Sequence, residues 1–416
     1  MDKWIAVFDI KAFYASFECV ERGLDPFTTP LAVTDTSRKE STIVLSVSPF
    51  LKSLGVPSRC RRKELPKDIK GLILATPQME KYIKESAKVV SIFLDFVGED
   101  DIHVYSIDEA FLNLGPYLEL YKMSAFELCK KIQKTVYEKT KLTLTCGLSH
   151  NMFLAKVADD REAKTNKDFI ALWEEKDIEE KLWKIKPLSK LWGISTGYER
   201  SLNMMGIYSV YDLAHYSKDL LIKKFGIMGE ELYNNANGID DTDIREKYVP
   251  KEKNLSLGQV LMRDYTVKEI PLIIKEMCDD LSSRLRKFNY KTSTVALYLR
   301  YSLNVDEEGF SHQVKLMRPT DISEELFTSL IHLFEAYSID KPIRAIHISF
   351  SNLSRPETRQ LLLFDDDDKN IKEASFDKSY DDVHKVFGSN SLTRTSALKK
   401  ESTAKIRHNQ IGGHRK

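Results

Sequence analysis

Three carboxylates at two strand ends constrain this chain more than any other feature. Lys3 to Ile10 (KWIAVFDI) reads as a buried first strand, an apolar run whose end carries Asp9. Further along, Ile102 to Tyr105 and Ala110 to Leu114 read as two strands around a tight turn, Ser106-Ile107-Asp108-Glu109. In an α+β sheet these positions can lie on adjacent central strands, with Asp9, Asp108 and Glu109 at one end. Groups so close repel and raise one another's pKa, which costs stability unless cations neutralise them. Two Mg²⁺ ions, roughly 3.5–4 Å apart and bridged by such carboxylates, form the clamp used for in-line phosphoryl transfer. Taken singly, an Asp at a strand end and an Asp-Glu pair in a turn are equally at home as solvated turn residues.

The rest of the chain sets these motifs in a larger plan. With 416 residues, 42% hydrophobic and 30% charged, it has length for two to four domains and the composition of a globular protein. Met79 to Val97, Leu128 to Thr140 and Asn151 to Arg161 have helical periodicity, and Leu142 to Leu148 reads as a strand. Between the first strand and these elements lies a basic segment, Ser37 to Lys70, with a net charge of +6. The order implies an α+β sheet domain interrupted by a basic insert. After Pro187 the chain turns helical and punctuated. A charged stretch, Asp240 to Asn254, reads as a linker. Leu255 to Phe350 alternates helices (Ile273 to Lys287, Ser323 to Tyr337) with strands (Ser293 to Tyr301, Ile343 to Phe350) as a second α+β domain. The greasiest helix, Val89 to Val97, is broken by Ser91 and Asp95, so no membrane span is expected. Met1 to Trp4 leads straight into strand-like sequence without a signal peptide. Five cysteines without a CxxC pair suggest free thiols in a reducing cytoplasm. The balance of 63 basic and 62 acidic residues argues against a nucleic-acid partner only if charge is evenly spread, which it is not.

The words around the carboxylates carry more. Asp9-Ile10-Lys11-Ala12-Phe13-Tyr14-Ala15-Ser16-Phe17-Glu18 and Tyr105-Ser106-Ile107-Asp108-Glu109-Ala110-Phe111-Leu112 resemble the two metal-binding motifs of the Y-family DNA polymerases. The likeness is greatest to the bacterial UmuC-like branch, which performs translesion synthesis. It continues through Gly147-Leu148-Ser149-His150-Asn151-Met152-Phe153-Leu154-Ala155-Lys156 and runs to the tail. The resemblance implies a right-hand polymerase of α+β class. Its ferredoxin-like palm would be residues 1–12 and 79–171, its small fingers 13–78, and its helical thumb with a helix-hairpin-helix 172–244. A linker (245–254), an α+β little finger (255–355) and a C-terminal tail (356–416) would follow. The implied activity is template-directed transfer from a dNTP to a primer 3′-OH, bypassing damaged template bases with low fidelity.

The same resemblance assigns residues. Asp9, Asp108 and Glu109 would hold two Mg²⁺ ions, with the Ile10 carbonyl as a backbone ligand. Phe13 and Tyr14 match the pair under the incoming sugar, with Tyr14 as a steric gate against the 2′-hydroxyl; two aromatics opening a helix are otherwise core packing. Many members carry a Tyr and an Arg three residues apart in the fingers, both reaching the triphosphate; Pro49 and Lys52 stand there instead. A proline donates no hydrogen bond and a lysine gives a point charge in place of a fork. Ser46 and Lys52 stay as candidates, Lys52 alternatively as a solvated charge. Lys164 matches the family lysine that reaches the β/γ phosphates, although the helix before it is one residue longer than in many relatives. Lys11 receives no role.

For DNA, Arg59, Arg61 and Arg62 in the basic insert would meet the template. Gly193 and Gly197, followed by Gly206-Ile207, resemble a helix-hairpin-helix whose backbone N–H groups approach a phosphate, or else two helix caps. Arg284, Arg286, Lys291 and Arg300 would touch phosphates from the little finger. Gln360-Leu361-Leu362-Leu363-Phe364 fits the bacterial sliding-clamp peptide QLxLF, with Gln360, Leu361, Leu363 and Phe364 as anchors. Implied partners are primer-template DNA, dNTP, the sliding clamp and accessory SOS proteins, with no membrane. The tail from Lys399 is basic and suggests only non-specific DNA or partner contact. Two rivals are a nucleotide cyclase, which shares palm and two-metal logic but lacks fingers, thumb and clamp peptide, and a clamp-tethered scaffold with a degenerate site.

Overall fold

A computed structural model of the chain describes residues 3–247, 249–250, 252–355 and 367–416. They divide into two compact units, the first running to Lys247 and including Arg415–Lys416, the second running on to His414. The first is organised by β1 (Ile5–Ile10), buried on both faces, which is why Ile5 to Phe8 is an unbroken apolar run. A left-handed Ala12 (φ 51°) turns the chain into α1 (Phe13–Glu21). A small three-stranded sheet follows, made of β2 (Leu31–Thr34), β3 (Val44–Val47) and β4 (Ile73–Ala75) in the order β3-β2-β4. Helix α2 (Pro49–Ser53) starts from a Ser48 cap with Pro49 in its first turn, where a missing N–H costs nothing. β3 lies inside the basic segment and β2 and β4 flank it, where sequence alone suggested no sheet. Each is only three or four residues long, too short to show a period among the surrounding charges.

Helix α3 (Met79–Leu94) precedes a hairpin of β5 (Ile102–Val104) and β6 (Glu109–Asn113). Then come α4 (Leu118–Tyr121), α5 (Ala125–Thr140), β7 (Leu144–Ser149), α6 (Met152–Ala158) and β8 (Ile170–Leu172). The main sheet has the order β5-β6-β1-β7-β8, so β1 is central and pairs antiparallel with both β6 and β7. Phe8 stacks on Phe93 of α3, with ring centroids 5.3 Å apart, on one face of the sheet. Ile5 and Val7 join Phe111, Met152 and Ala155 on the other. Asp9 shares the parity of Ile5 and Val7 and therefore looks toward the α6 side. Helix α6 presses so close to β7 that a Cβ on Gly147 would lie 1.9 Å from the Ala155 carbonyl oxygen. The expected helix to Arg161 instead widens after Ala158 into a π turn, Asp159–Ala163.

Five short helices complete this unit: α7 (Lys176–Glu180), α8 (Thr196–Asn203), α9 (Val210–Ala214), α10 (Lys218–Phe225) and α11 (Ile227–Ala236). Their core gathers Leu182, Leu188, Leu202, Ile207, Leu213 and Leu232. The expected linker is not wholly free. Arg245 grips Asp101 through two parallel bonds of 2.8 and 3.0 Å.

The second unit is a four-stranded antiparallel sheet of β9 (Leu255–Tyr265), β10 (Lys291–Tyr301), β11 (Phe310–Thr320) and β12 (Ile343–Ser354), in the order β11-β10-β12-β9. Helices α12 (Ile270–Lys287) and α13 (Ser323–Tyr337) share one core with its inner face. β9 and β11 escape sequence reading because they are edge strands, largely exposed and polar at alternate or successive positions.

The tail is the larger departure. Helix α14 (Asp367–Phe387) and α15 (Ala404–His408) are ordered, and charged groups join them to α12. Arg394 meets Asp279 at 2.7 Å, Arg407 and His408 meet Asp280 at 2.7 and 2.8 Å, and the Ser402 hydroxyl donates to Glu276 at 2.5 Å. Arg286, expected on DNA, is turned to the same purpose. Its guanidinium is 15% exposed and bonds Asp377 at 3.0 Å and Asp381 at 2.5 Å, leaving little of its fork for a phosphate. Arg286→Ala would strand two carboxylates, and should destabilise this unit by about 3 kcal/mol. A denaturant melt of the full chain checks this; an unchanged midpoint would show that the tail is held by other contacts.

Among the described residues no helix is long and apolar enough to cross a membrane. All five cysteines are free and buried.

Candidate active site

The two strand ends meet as their spacing suggested. Asp9 stands opposite Glu109 in the β1–β6 register and opposite Thr145 in the β1–β7 register. The Ile10 N–H donates to the Asp108 carbonyl at 2.8 Å, which seats the hairpin turn beside the end of β1. Asp108 itself is held by the Ser106 hydroxyl at 2.8 Å and has no basic side chain within ion-pair distance among the described residues.

Two lysines supply the cations that three neighbouring carboxylates require, and only one of them was foreseen. Lys164 Nζ lies 2.7 Å from Asp9, 3.2 Å from Asp159 and 2.6 Å from Asp160. Lys156 Nζ lies 2.7 Å from Glu109 and 3.0 Å from Asp160. Asp159 is fully buried and accepts a 2.5 Å bond from the Thr145 hydroxyl. The sequence signal was present in the spacing: Lys156, Asp160 and Lys164 recur every four residues, one side of a helix. Burial pushes the Asp9 carboxyl upward against the pull of Lys164, and pushes Glu109 up to about 7 and Asp159 to about 6. Asp160 goes the other way: its partial burial is outweighed by both lysines.

Asp9, Ile10, Phe13, Tyr14, Ser46, Lys52, Arg59, Asp108 and Lys164 all line one cleft of ≈ 960 Å³. Glu109 does not line it; its side chain is buried beside Lys156. Tyr14 is half-buried and lies on the Tyr82 ring, with centroids 4.7 Å apart and planes 28° from parallel. The Tyr82 hydroxyl donates to the buried Glu18 at 2.5 Å, and Gln78 and Arg22 hold the same carboxylate. The ring beneath Tyr14 is thus anchored at its far end. Ser46 is buried with its hydroxyl 3.5 Å from the Ala12 carbonyl. Lys52 is exposed on α2.

The donor set suits a hard divalent cation. It consists of carboxylates with a backbone carbonyl nearby, and ammonium groups already stand against two of the three. No group of three or more acidic, His or Cys side chains forms a ready cage among the described residues. Mg²⁺ does not need one, since it keeps several waters and takes one or two carboxylates plus substrate phosphates.

The residues expected on DNA are scattered. Arg59 reaches the cleft from a left-handed backbone, φ 63°. Arg61 donates to the Ser41 carbonyl, and Arg62 is bound by Glu40 and the carbonyls of Thr36 and Arg38. Those two brace the insert. Gly193 has φ 89°, Ser195 caps α8, and Gly206 has φ 84° after it, so the glycine-rich turns flank one helix as expected. In the second unit Arg300 alternates with the buried Leu299 and Tyr301, which puts it on the open face of the sheet. Arg284 leans toward the Ser256 carbonyl, and Lys291 is half-buried. Gln360 to Phe364 lie outside the described residues.

A family model described as "impB/mucB/samB family" matches residues 8–160, and that of the family's C-terminal domain matches 252–363. The chain is 35% identical to the "Putative UV-damage repair protein UvrX" of Bacillus subtilis, over 99% of this chain and 98% of that one. It is 30% identical to "DNA polymerase IV 2" of the same organism, over 100% and 99%. A solved "Y-family DNA polymerase chimera Dbh-Dpo4(243-245)-Dbh" superposes with a TM-score of 0.68 at 20% identity, covering 85% of this chain and 99% of that one.

Proposed function

The chain belongs to the impB/mucB/samB family of Y-family polymerases and is a translesion DNA-directed DNA polymerase; on that premise we propose that its chemistry is two-metal nucleotidyl transfer in the cleft above Asp9 and Asp108. The observation that carries this is the register of β1 and β6, which sets Asp9 against Glu109 with Asp108 adjoining. Use of a divalent metal goes with the family; two Mg²⁺ ions held by Asp9, Asp108, Glu109 and the Ile10 carbonyl are our reading. Such ions, when bound, lower the pKa of the primer 3′-OH and neutralise the triphosphate.

The chain's own residues do the rest. The primer 3′-hydroxyl gives up its proton to solvent, its oxygen forms a bond to the α-phosphorus, the bond from that phosphorus to the bridging oxygen of the β-phosphate breaks, and pyrophosphate leaves. Lys164 keeps donors on Asp159 and Asp160 and turns the one shared with Asp9 toward the phosphates. Lys52 and Ser46 approach the triphosphate from the insert. Tyr14, backed by Tyr82, closes the space beside C2′ and excludes a ribose. Arg59 meets the template; Gly193 and Gly197 offer backbone N–H groups to a phosphate; Arg284, Lys291 and Arg300 touch the duplex backbone. The domain limits given above are part of the same reading.

Primer extension past an abasic template site tests the proposal. Longer primers support it, and cyclic nucleotide made from ATP or GTP would favour the cyclase. The clamp reading rests on the QLxLF fit and on its place after the second α+β domain and directly before four aspartates. Deleting Gln360 to Phe364 should abolish stimulation by the sliding clamp and spare distributive synthesis. Equal stimulation of both forms would refute it. Accessory SOS proteins and a cytoplasmic setting belong to the same reading.

A further inference from the structure

Lys11, which sequence comparison leaves without a role, lines the cleft with Asp9, Asp108, Lys52 and Lys164. Its ammonium donates to the Lys164 carbonyl at 2.7 Å and lies 4.5 Å from the centre of the Phe169 ring. An ammonium has three donors. One is used here, and among the described residues no carboxylate comes within ion-pair distance of Lys11. The same is true of Lys52 and Arg59, so three cations line the cleft beside Asp9 and Asp108 without an ion-pair contact to any carboxylate of the described residues. Every other ammonium close to the sheet end, Lys156 and Lys164, is saturated with carboxylates. A partly buried, unpaired ammonium is costly unless a ligand supplies the missing negative charge. Lys52 hangs from α2, whereas Lys11 is fixed on the sheet at both ends: its N–H donates to the Thr143 carbonyl at 3.0 Å and its side chain is tied to Lys164.

We propose that Lys11 is a phosphate-binding residue, which holds the polyphosphate tail of the incoming dNTP and of the departing pyrophosphate together with the α2 lysine. This rests on the polymerase reading and adds a contact that the family motifs do not name. The two free donors of Lys11 point to charge rather than shape, so the effect should follow the phosphates and not the base or sugar.

The test uses the full chain on a primer-template ended with a dideoxynucleotide, with Ca²⁺ in place of the catalytic metal so that binding is read without turnover. Lys11→Gln and Lys11→Met are compared with wild type, the Met variant keeping the apolar stem over Phe169. Both should weaken dATP about tenfold, the loss of one charge-assisted bond. Inorganic pyrophosphate should weaken equally, and Lys11→Arg should restore most of both. Wild-type affinity for dATP in both variants would overturn the proposal. So would a loss of dATP that leaves pyrophosphate untouched, since that marks a residue that only fastens the Lys164 loop. If the wild-type chain binds no dATP on primer-template, the polymerase reading itself fails, whatever Lys11 does.

Discussion

Asp108→Ala is expected to reduce primer extension by about a thousandfold or more, the scale on which removing charge stabilisation from a phosphoryl-transfer site is felt. Asp108 is chosen because its carboxylate has only the Ser106 hydroxyl as partner, while its backbone carbonyl holds Ile10 at 2.8 Å. The substitution deletes the first and keeps the second. The hairpin should therefore stay seated, and the thermal midpoint should hold or rise, because one of three mutually repelling carboxylates is gone. Asp9→Ala is a poorer experiment, since it would also remove one of the three carboxylates that hold Lys164. Extension by Asp108→Ala at wild-type rate, on damaged or undamaged template, would defeat the metal assignment.

Tyr14→Ala should raise ribonucleotide use by about a hundredfold relative to dNTP, because a site that rejects by contact loses its discrimination when the contact is removed. A gate works only if it cannot swing aside. Here the ring rests on Tyr82, and Tyr82 is fastened to Glu18, whose own side chain is fully buried. The measurement is the ratio of kcat/KM for rCTP and dCTP opposite the same template base. Extension with dCTP should change far less than the ratio. If the ratio stays put, Tyr14 is packing and the gate lies elsewhere.

Much of the site was legible because its chemistry and its local structure use the same residues. β1 shows as an apolar run because both faces are covered, and the hairpin shows because its turn is polar. Helix α13 begins and ends where its periodicity does, at Ser323 and Tyr337. What stayed hidden depends on tertiary partners. The strands in and beside the basic segment are only three or four residues long, too short to show a period. Lys156 reads as the close of a motif until the sheet brings Glu109 to it. Arg286 stands in a basic run, and only the fold of the tail reveals the aspartates that take it. A linear charge count cannot distinguish a side chain facing solvent from one already paired.

The wide turn from Asp159 to Ala163 bears on how such enzymes can vary. Its closing bond runs from the Lys164 N–H to the Asp159 carbonyl, 3.1 Å, five residues back where an ordinary turn would use four. The helix ends on this wide turn and the chain passes at Lys164 into a loop, so the additional residue is stored where no further helix has to keep its phase. In a strand a one-residue insertion would turn every following side chain to the opposite face. At this helix end the extra residue is taken up in the turn itself, ahead of a loop, so a change of length here need not turn any strand over.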